Sequence, residues 1–373
     1  MKLKISKSIL LENLNYVSRA LSNKNIIPVL NGIKFDLKKD GLYLTATDND
    51  ITVKSFINKK DIKDIEEEGS LVIYGRFIID IIRKLPNDEI NIEDMDGNKV
   101  IISTTTSKYS LNCYEESDFP NIKLEQVETP IKLNTGEFKN LINQTAFASS
   151  LQESRPLLTG INLKIQGNLL ECVATDSYRL AKKSIKLDID VDNSINVVIP
   201  ARNINELVKI IEDDTDVLEL HIFNNKILFI YKNLLFQSSL LNGTYPNTDN
   251  LIPREHSIKF EANLADLYNA IDRVSLLTQS KEKNIVQLEM KGNNLTITSN
   301  SPEIGKSEEV MLVENLTNNE IKISFSAKYM LDALKTFDKE KIILLLNGEI
   351  KPIIVKEDEN GELIQLILPI KTY

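Results

Sequence analysis

A chain of 373 residues is too long for one ordinary hydrophobic core and points to two or three domains. Its 42% hydrophobic and 27% charged residues are those of a globular protein, not a disordered one, and no run approaches the roughly 18 uncharged apolar residues of a membrane span. A net charge of −9 argues against a surface coated in base, yet leaves room for bases gathered on one internal face.

The opening MKLKISKSILLENLNYV reads as a strand and then an amphipathic helix, with Glu12 inside the apolar stretch that a signal peptide would keep uncharged. LNGIKF, Leu30 to Phe35, and LYLTATDND follow as alternating strands. From Leu71, LVIYGRFIIDIIRKLPNDEINI reads as a strand, a helix of about ten residues and another strand. Phe119-Pro120-Asn121 opens a proline-marked segment that ends near Pro130, where proline stops a strand and stiffens a linker. The same series then returns: EFKNLINQTAFASSL as helix, LTGINL (Leu158 to Leu163) with LLECVATDSY as strands, and VVIPARNINELVKIIEDDTDVLEL from Val197. Tyr245-Pro246-Asn247 leads to a second boundary at Pro253. A fainter third copy holds ANLADLYNAIDRVSLL, NIVQLEM with LTITSNSP, and ISFSAKYMLDALKTFDKEKIILLL from Ile323.

Arg76, Arg202 and Lys328 take the same place in successive copies, 126 residues apart. Such self-similarity is the mark of a repeated architecture. The reading is an α+β chain of three similar domains, 1–128, 129–253 and 254–373, each a duplicated β-α-β unit. Cys113 and Cys172 lie far apart, which suggests a reduced compartment and a cytoplasmic protein.

Catalytic chemistry finds little support. His221 and His256 are the two histidines, and neither has a Cys, Asp or Glu at metal-ligand spacing. Phosphate-cradling loops and nucleophile elbows are absent as motifs. Asp48 and Asp50 could be imagined as a metal or acid pair, but the matching Asp176 in the second copy favours a turn-forming role.

What repeats is charge. Arg76-Asp80-Arg83, Arg202-Glu206-Lys209 and Lys328-Asp332-Lys335 each stand at i, i+4 and i+7, on one helix face. Ile78, Ile81, Ile82 and Leu85, or Ile204, Leu207, Val208 and Ile211, can form the opposite, buried face. One such helix is explained by a solvated face of weak ion pairs; three equivalent helices about an axis would also suit sequence-independent phosphate contact. The pattern alone leaves both readings open.

The runs ESRPLLTG and LLECVATDSYRLA between Glu153 and Ala181, VVIPARNINEL, LLNGTYPNTDNLIP (Leu240 to Pro253) and the terminal LILPIKTY, with IIPVLNGIKF and DNDITV near the start, closely resemble the bacterial DNA polymerase III beta subunit, the sliding clamp family. The similarity runs through the whole chain in order. It implies a head-to-tail homodimeric ring of sliding-clamp domains with helices lining the hole, through which double-stranded DNA passes. It also implies a non-catalytic processivity factor that needs no cofactor and no membrane. Its partners would be a DNA polymerase III alpha or PolC-type polymerase, the clamp loader and other clamp-binding-motif proteins.

The resemblance assigns a partner-peptide pocket between the second and third domains to Leu158, Thr175, Ser177, Tyr178, Arg179, Leu180, Pro246, Leu251, Leu366, Leu368, Pro369 and Ile370, with Thr175 and Arg179 at its polar margin. It assigns DNA contact to Lys24, Arg76, Arg83, Gln152, Arg202, Lys281 and Lys283, and the dimer interface to Tyr109, Leu276 and Leu277. Three departures from the family pattern stand out: Tyr178 where histidine is common, Asn250 where arginine is often found, and a terminus in which Lys371 replaces arginine and Thr372-Tyr373 extend beyond it. A scaffold that binds only proteins, or a hydrolase within a repeat fold, are the other readings; the basic helix faces weigh against the first and the missing nucleophile and metal sets against the second.

Overall fold

The computed structural model describes all residues except 23–25, 87–88, 96, 213, 279–283, 359 and 372–373. These form two compact units, Met1–Gly136 with Arg202–Leu240, and Glu137–Ala201 with Leu241–Tyr373. The described helices are α1 (Lys7–Val17), α2 (Gly75–Lys84), α3 (Thr135–Asn143), α4 (Ala201–Val208), α5 (Leu264–Ser275) and α6 (Ala327–Leu334). They fall where the threefold pattern places them, two to a copy. None of the described helices is long and apolar enough to cross a membrane.

Each helix forms because its apolar residues share one face. In α1, Leu10, Leu14 and Val17 are buried, at i, i+4 and i+7. In α2 the buried residues are Gly75, Ile78, Ile79 and Ile82, so Ile79 takes the place expected of Ile81, and Arg83 and Lys84 in the last turn suit the negative end of the helix dipole. In α5, the Asn263 side chain accepts from the Asp266 N–H, satisfying a donor that the first turn leaves free.

In the first unit a thirteen-stranded sheet runs from Ile131–Asn134 at one edge to Ile62–Glu67 at the other. Strand Leu234–Ser239 lies antiparallel to Ile51–Asn58, Ser238 opposite Ile51. The segment before Ile131 is tied down by a histidine: the Val127 N–H donates to His221 Nδ1 at 3.0 Å, and burial pulls the imidazole pKa below its ordinary value. In the second unit, strands Gly160–Thr175, Arg179–Pro200, Leu363–Ile367, Ile353–Lys356, Lys341–Leu346, Ile258–Asn263 and Glu314–Asn315 make one sheet. Gly305–Leu312, Asn294–Ser301, Ile285–Lys291 and Ile321–Ser326 make another. Phe260, Phe325 and Met330 are fully buried in the core of this unit.

Repetition extends to atomic packing. Gly32 and Gly160 have ordinary extended φ, −94° and −106°, so close approach, not backbone conformation, requires glycine. A Cβ on Gly32 would lie 2.5 Å from Val72 Cγ1, and one on Gly160 would lie 2.6 Å from Val198 Cγ1, 2.8 Å from Leu241 Cδ1 and 2.9 Å from the Ile199 carbonyl. The repeated tetrads TATD and VATD build the same turn. Asp48 Oδ1 accepts from the Asp50 and Ile51 N–H groups at 3.1 and 2.8 Å, and Asp176 Oδ1 accepts from those of Tyr178 and Arg179 at 2.9 and 3.0 Å. Asn49 and Ser177 take left-handed φ of 76° and 78°. These contacts assign Asp48 and Asp176 to turn formation. Because backbone and two side chains crowd Gly160 at once, Gly160→Ala is expected to destabilise the protein by about 1–3 kcal/mol, read as a lowered denaturation midpoint.

Candidate functional site

An apolar cleft of about 670 Å³ opens in the second unit. Leu158 comes from the 3-10 turn Pro156–Thr159, and Leu180 from strand Arg179–Pro200, where it stands directly opposite Leu366 of Leu363–Ile367. These three belong to an apolar cluster that also holds Val173, Val198, Tyr245, Ile343, Leu345 and Ile354. Tyr245 supports the wall from behind: its hydroxyl oxygen accepts from the Thr175 N–H at 3.1 Å, and burial pushes its phenol up to about 12. Leu251 closes another side, 51% exposed. A wide apolar cleft with few polar groups suits an extended peptide with large apolar side chains, each contributing about 1.5–3 kcal/mol on burial.

Arg179 lines the cleft, but its guanidinium is committed to the wall. Nε donates to Asp176 Oδ2 at 3.1 Å, Nη1 to Asp332 Oδ2 at 2.8 Å and Nη2 to the Phe147 carbonyl at 2.9 Å. It also lies 4.6 Å from the Tyr329 ring centroid, within cation–π range. One largely buried side chain thus joins the Asp176 turn, α6 and the turn after α3 while still lining the cleft.

Leu158, Thr175, Ser177, Arg179, Leu180, Pro246, Leu251, Leu366 and Leu368 come together on the lining. Tyr178, Pro369 and Ile370 do not. Tyr178 is 62% exposed and stacks on Tyr329 with centroids 6.5 Å apart. Past Leu368, whose N–H donates to the Tyr178 carbonyl, the chain leaves the lining, and the Ile370 N–H donates to the Ser324 carbonyl at 2.7 Å. Pro369, without a donor, sits between these two bonds. The sequence reading missed Arg155, Pro156, Leu157, Asn242, Thr248 and Pro352. Arg155 to Leu157 stand within the quoted run SRPLLTG, so adjacency could have found them; Pro352 follows a turn of the third copy that carries no repeat signal.

On the helix faces, two of the three acids pair with the second base of their own triad. Asp80 pairs with Arg83 at 3.2 Å. Glu206 pairs with Lys209 and also with Arg19, at 2.7 and 3.4 Å, and Arg202 reaches Asp48 at 3.5 Å. Asp332 belongs to Arg179. The i, i+4 pairs of base and acid do not form. Arg76, Arg83, Arg202, Lys209, Lys328 and Lys335 are exposed, as is Gln152. Lys24, Lys281 and Lys283 lie outside the described residues.

Of the expected interface residues, Tyr109 sits on Lys108–Tyr114, a strand paired along its length only with Lys99–Ser103 and touching Gly69–Tyr74 through Cys113 and Tyr114 alone. Leu276, 60% exposed, and half-buried Leu277 follow α5. Gly305–Leu312 is the edge strand of its sheet, with Val310 and Leu312 exposed.

The profile of the DNA polymerase III beta subunit N-terminal domain matches residues 1–123, that of the central domain residues 132–247 and that of the C-terminal domain residues 249–371. The chain is 40% identical over 378 residues to the beta sliding clamp of Bacillus subtilis (strain 168) and 37% identical over 377 residues to that of Staphylococcus epidermidis, covering 100% of both chains in each case. Among solved structures, the DNA polymerase sliding clamp from Bacillus subtilis superposes with a TM-score of 0.97 at 40% identity, and the DNA polymerase III beta chain from Streptococcus pneumoniae with 0.95 at 33%, each over 100% of both chains.

Arg179→Ala would leave Asp176 and Asp332 without their shared cation and open the wall. The expected cost is about 2–3 kcal/mol, reduced from that of a fully buried pair because Asp332 is partly solvated. Arg179→Lys, lacking the planar fork, is expected to recover only part of it; chemical denaturation of the three proteins measures both.

Proposed function

This chain belongs to the DNA polymerase III beta subunit family, the sliding clamps of DNA replication, and we propose that two copies close head to tail into a ring around duplex DNA. It is a replication processivity factor: it holds a polymerase on its template. The observation that carries the ring is the pair of open strand edges, residues 108–112 of Lys108–Tyr114 and Gly305–Leu312. Each is a template for another strand, and closure of two copies removes both. Tyr109, Leu276 and Leu277 lie on or near those edges as apolar surface for the contact, joined by Val310 and Leu312.

Within the ring, exposed bases on α2, α4 and α6 meet phosphates without reading sequence; Lys24, Gln152, Lys281 and Lys283 belong to the same proposed contact surface. The apolar cleft takes the glutamine-, leucine- and phenylalanine-bearing segments of polymerase, loader and other partners, with Tyr178, Pro369 and Ile370 at its outer border. The three domains divide at about residues 128 and 253. The ring itself catalyses nothing, needs no cofactor and works in the cytoplasm.

Leu276→Asp would place an unpaired carboxylate in the closed contact, which costs several kcal/mol. It is expected to weaken the dimer about a hundredfold or more, giving monomers by light scattering at micromolar concentration while the melting temperature of the monomer is kept. A wild-type chain that is monomeric there overturns the ring. Loaded clamps are expected to stay on closed circular DNA at moderate salt and to leave promptly once it is linearised, because encirclement does not depend on the phosphate contacts that salt weakens. Equal loss from both forms would favour a scaffold that binds proteins alone.

A further inference from the structure

The sheet face that floors the cleft continues beyond it. Leu366 and Leu368 line the cleft, whereas Ile364, two residues back on the same side of the strand, lines a second pocket of about 330 Å³. The neighbouring strand does likewise: Pro352 stands at the cleft, Ile354 and Lys356 at the second pocket. Consecutive residues Leu251 and Ile252 also divide between them. Two residues of strand place the two openings roughly 7 Å apart, a distance that an extended peptide covers in about two residues.

The pockets differ in charge. The second has an apolar floor of Ile252, Leu345, Ile354 and Ile364, part of the same cluster that holds Leu180 and Leu366. Around it stand Arg254, His256, Lys259 and Lys356, with Asp358 behind the lining and within electrostatic reach of Lys356. His256 Nδ1 is buried without a hydrogen-bond partner, and burial with Lys356 nearby pulls its imidazole pKa down. In a protein of net charge −9, Arg254, Lys259 and Lys356 around one apolar floor make a local attraction for an anion, and His256 brings a neutral ring beside them.

We infer that this second pocket receives a carboxylate side chain of the partner segment, two to four residues from the apolar residues seated in the cleft, so that one extended peptide fills both. The inference rests on the cleft being the partner-peptide site. An acid at that spacing would then grade partners that share the same apolar anchor.

The test uses the full chain and three fluorescein-labelled peptides carrying the same glutamine, leucine and phenylalanine. One has a glutamate three residues from the Leu-Phe pair, one a glutamine there, and one the same glutamate ten residues away. By fluorescence anisotropy the first is expected to bind about fivefold tighter than the other two. The advantage is expected to fall below twofold in Arg254→Gln/Lys356→Gln, and to shrink in Arg254→Gln alone, whose side chain is exposed, with unchanged melting temperatures. Equal affinities for the three peptides, or an advantage that survives the double variant, overturns the inference. Should no peptide bind, or should binding ignore Leu366→Ala, the cleft reading fails and this one falls with it.

Discussion

The second unit depends on one short ladder: Arg179 to Lys183 pairs antiparallel with Ile367 to Leu363. Strand Arg179–Pro200 pairs on its other side with Gly160–Thr175, so these five pairs join strands of two repeat copies into a single sheet. A slip of one residue would turn Leu180 and Leu366 away from the cleft. Polar contacts on the other face hold the register. Gln365, buried beside Leu366 and opposite Ala181, donates from Nε2 to the Gln144 carbonyl at 2.9 Å and to Thr336 Oγ1 at 3.0 Å. Gln144 in turn donates to the Thr336 carbonyl. Burying such amides is costly unless every donor finds its partner, and only the native register supplies them.

The same economy governs the charged helices. An acid between two bases on a helix face would ordinarily pair within the helix for a few tenths of a kcal/mol. Asp80 and Glu206 do so with Arg83 and Lys209, but Glu206 also reaches Arg19 and Asp332 braces Arg179, so two of the acids also work for the fold while Lys328, Lys335 and Arg202 keep exposed side chains. A chain of negative net charge can in this way present basic helix faces without a large excess of base.

Much of this was legible in the residues because repetition doubles a weak signal. One amphipathic stretch such as FIIDIIRK is ambiguous; its recurrence after 126 residues as NINELVKI is not. Gly32 and Gly160, and Asp48 and Asp176, were visible as repeated positions, and the structure supplies their reasons in a crowding valine and an Asx turn. What escaped was non-periodic. Pro352, Asn242 and Thr248 reach the cleft from loops that hydrophobic spacing does not describe. Gln365 looks like any polar residue in a strand until the partners at Gln144 and Thr336, far off in sequence, are seen. Tyr178 and Ile370 were assigned to the pocket by resemblance; Tyr178 stacks on Tyr329, and the Ile370 N–H donates to the Ser324 carbonyl.

The paired aspartates have a consequence for how such a chain diversifies. In both copies Oδ1 is consumed by the turn, which leaves Oδ2 to recruit a cation of the copy's own choosing. Asp48 takes Arg202, largely solvated on α4; Asp176 takes Arg179, sequestered beneath Tyr329. The two copies share the scaffold of the loop and differ in what the second oxygen holds. The same carboxylate in the same turn thereby steadies a solvated surface base in one copy and locks an internal joint in the other, with no change at the aspartate itself.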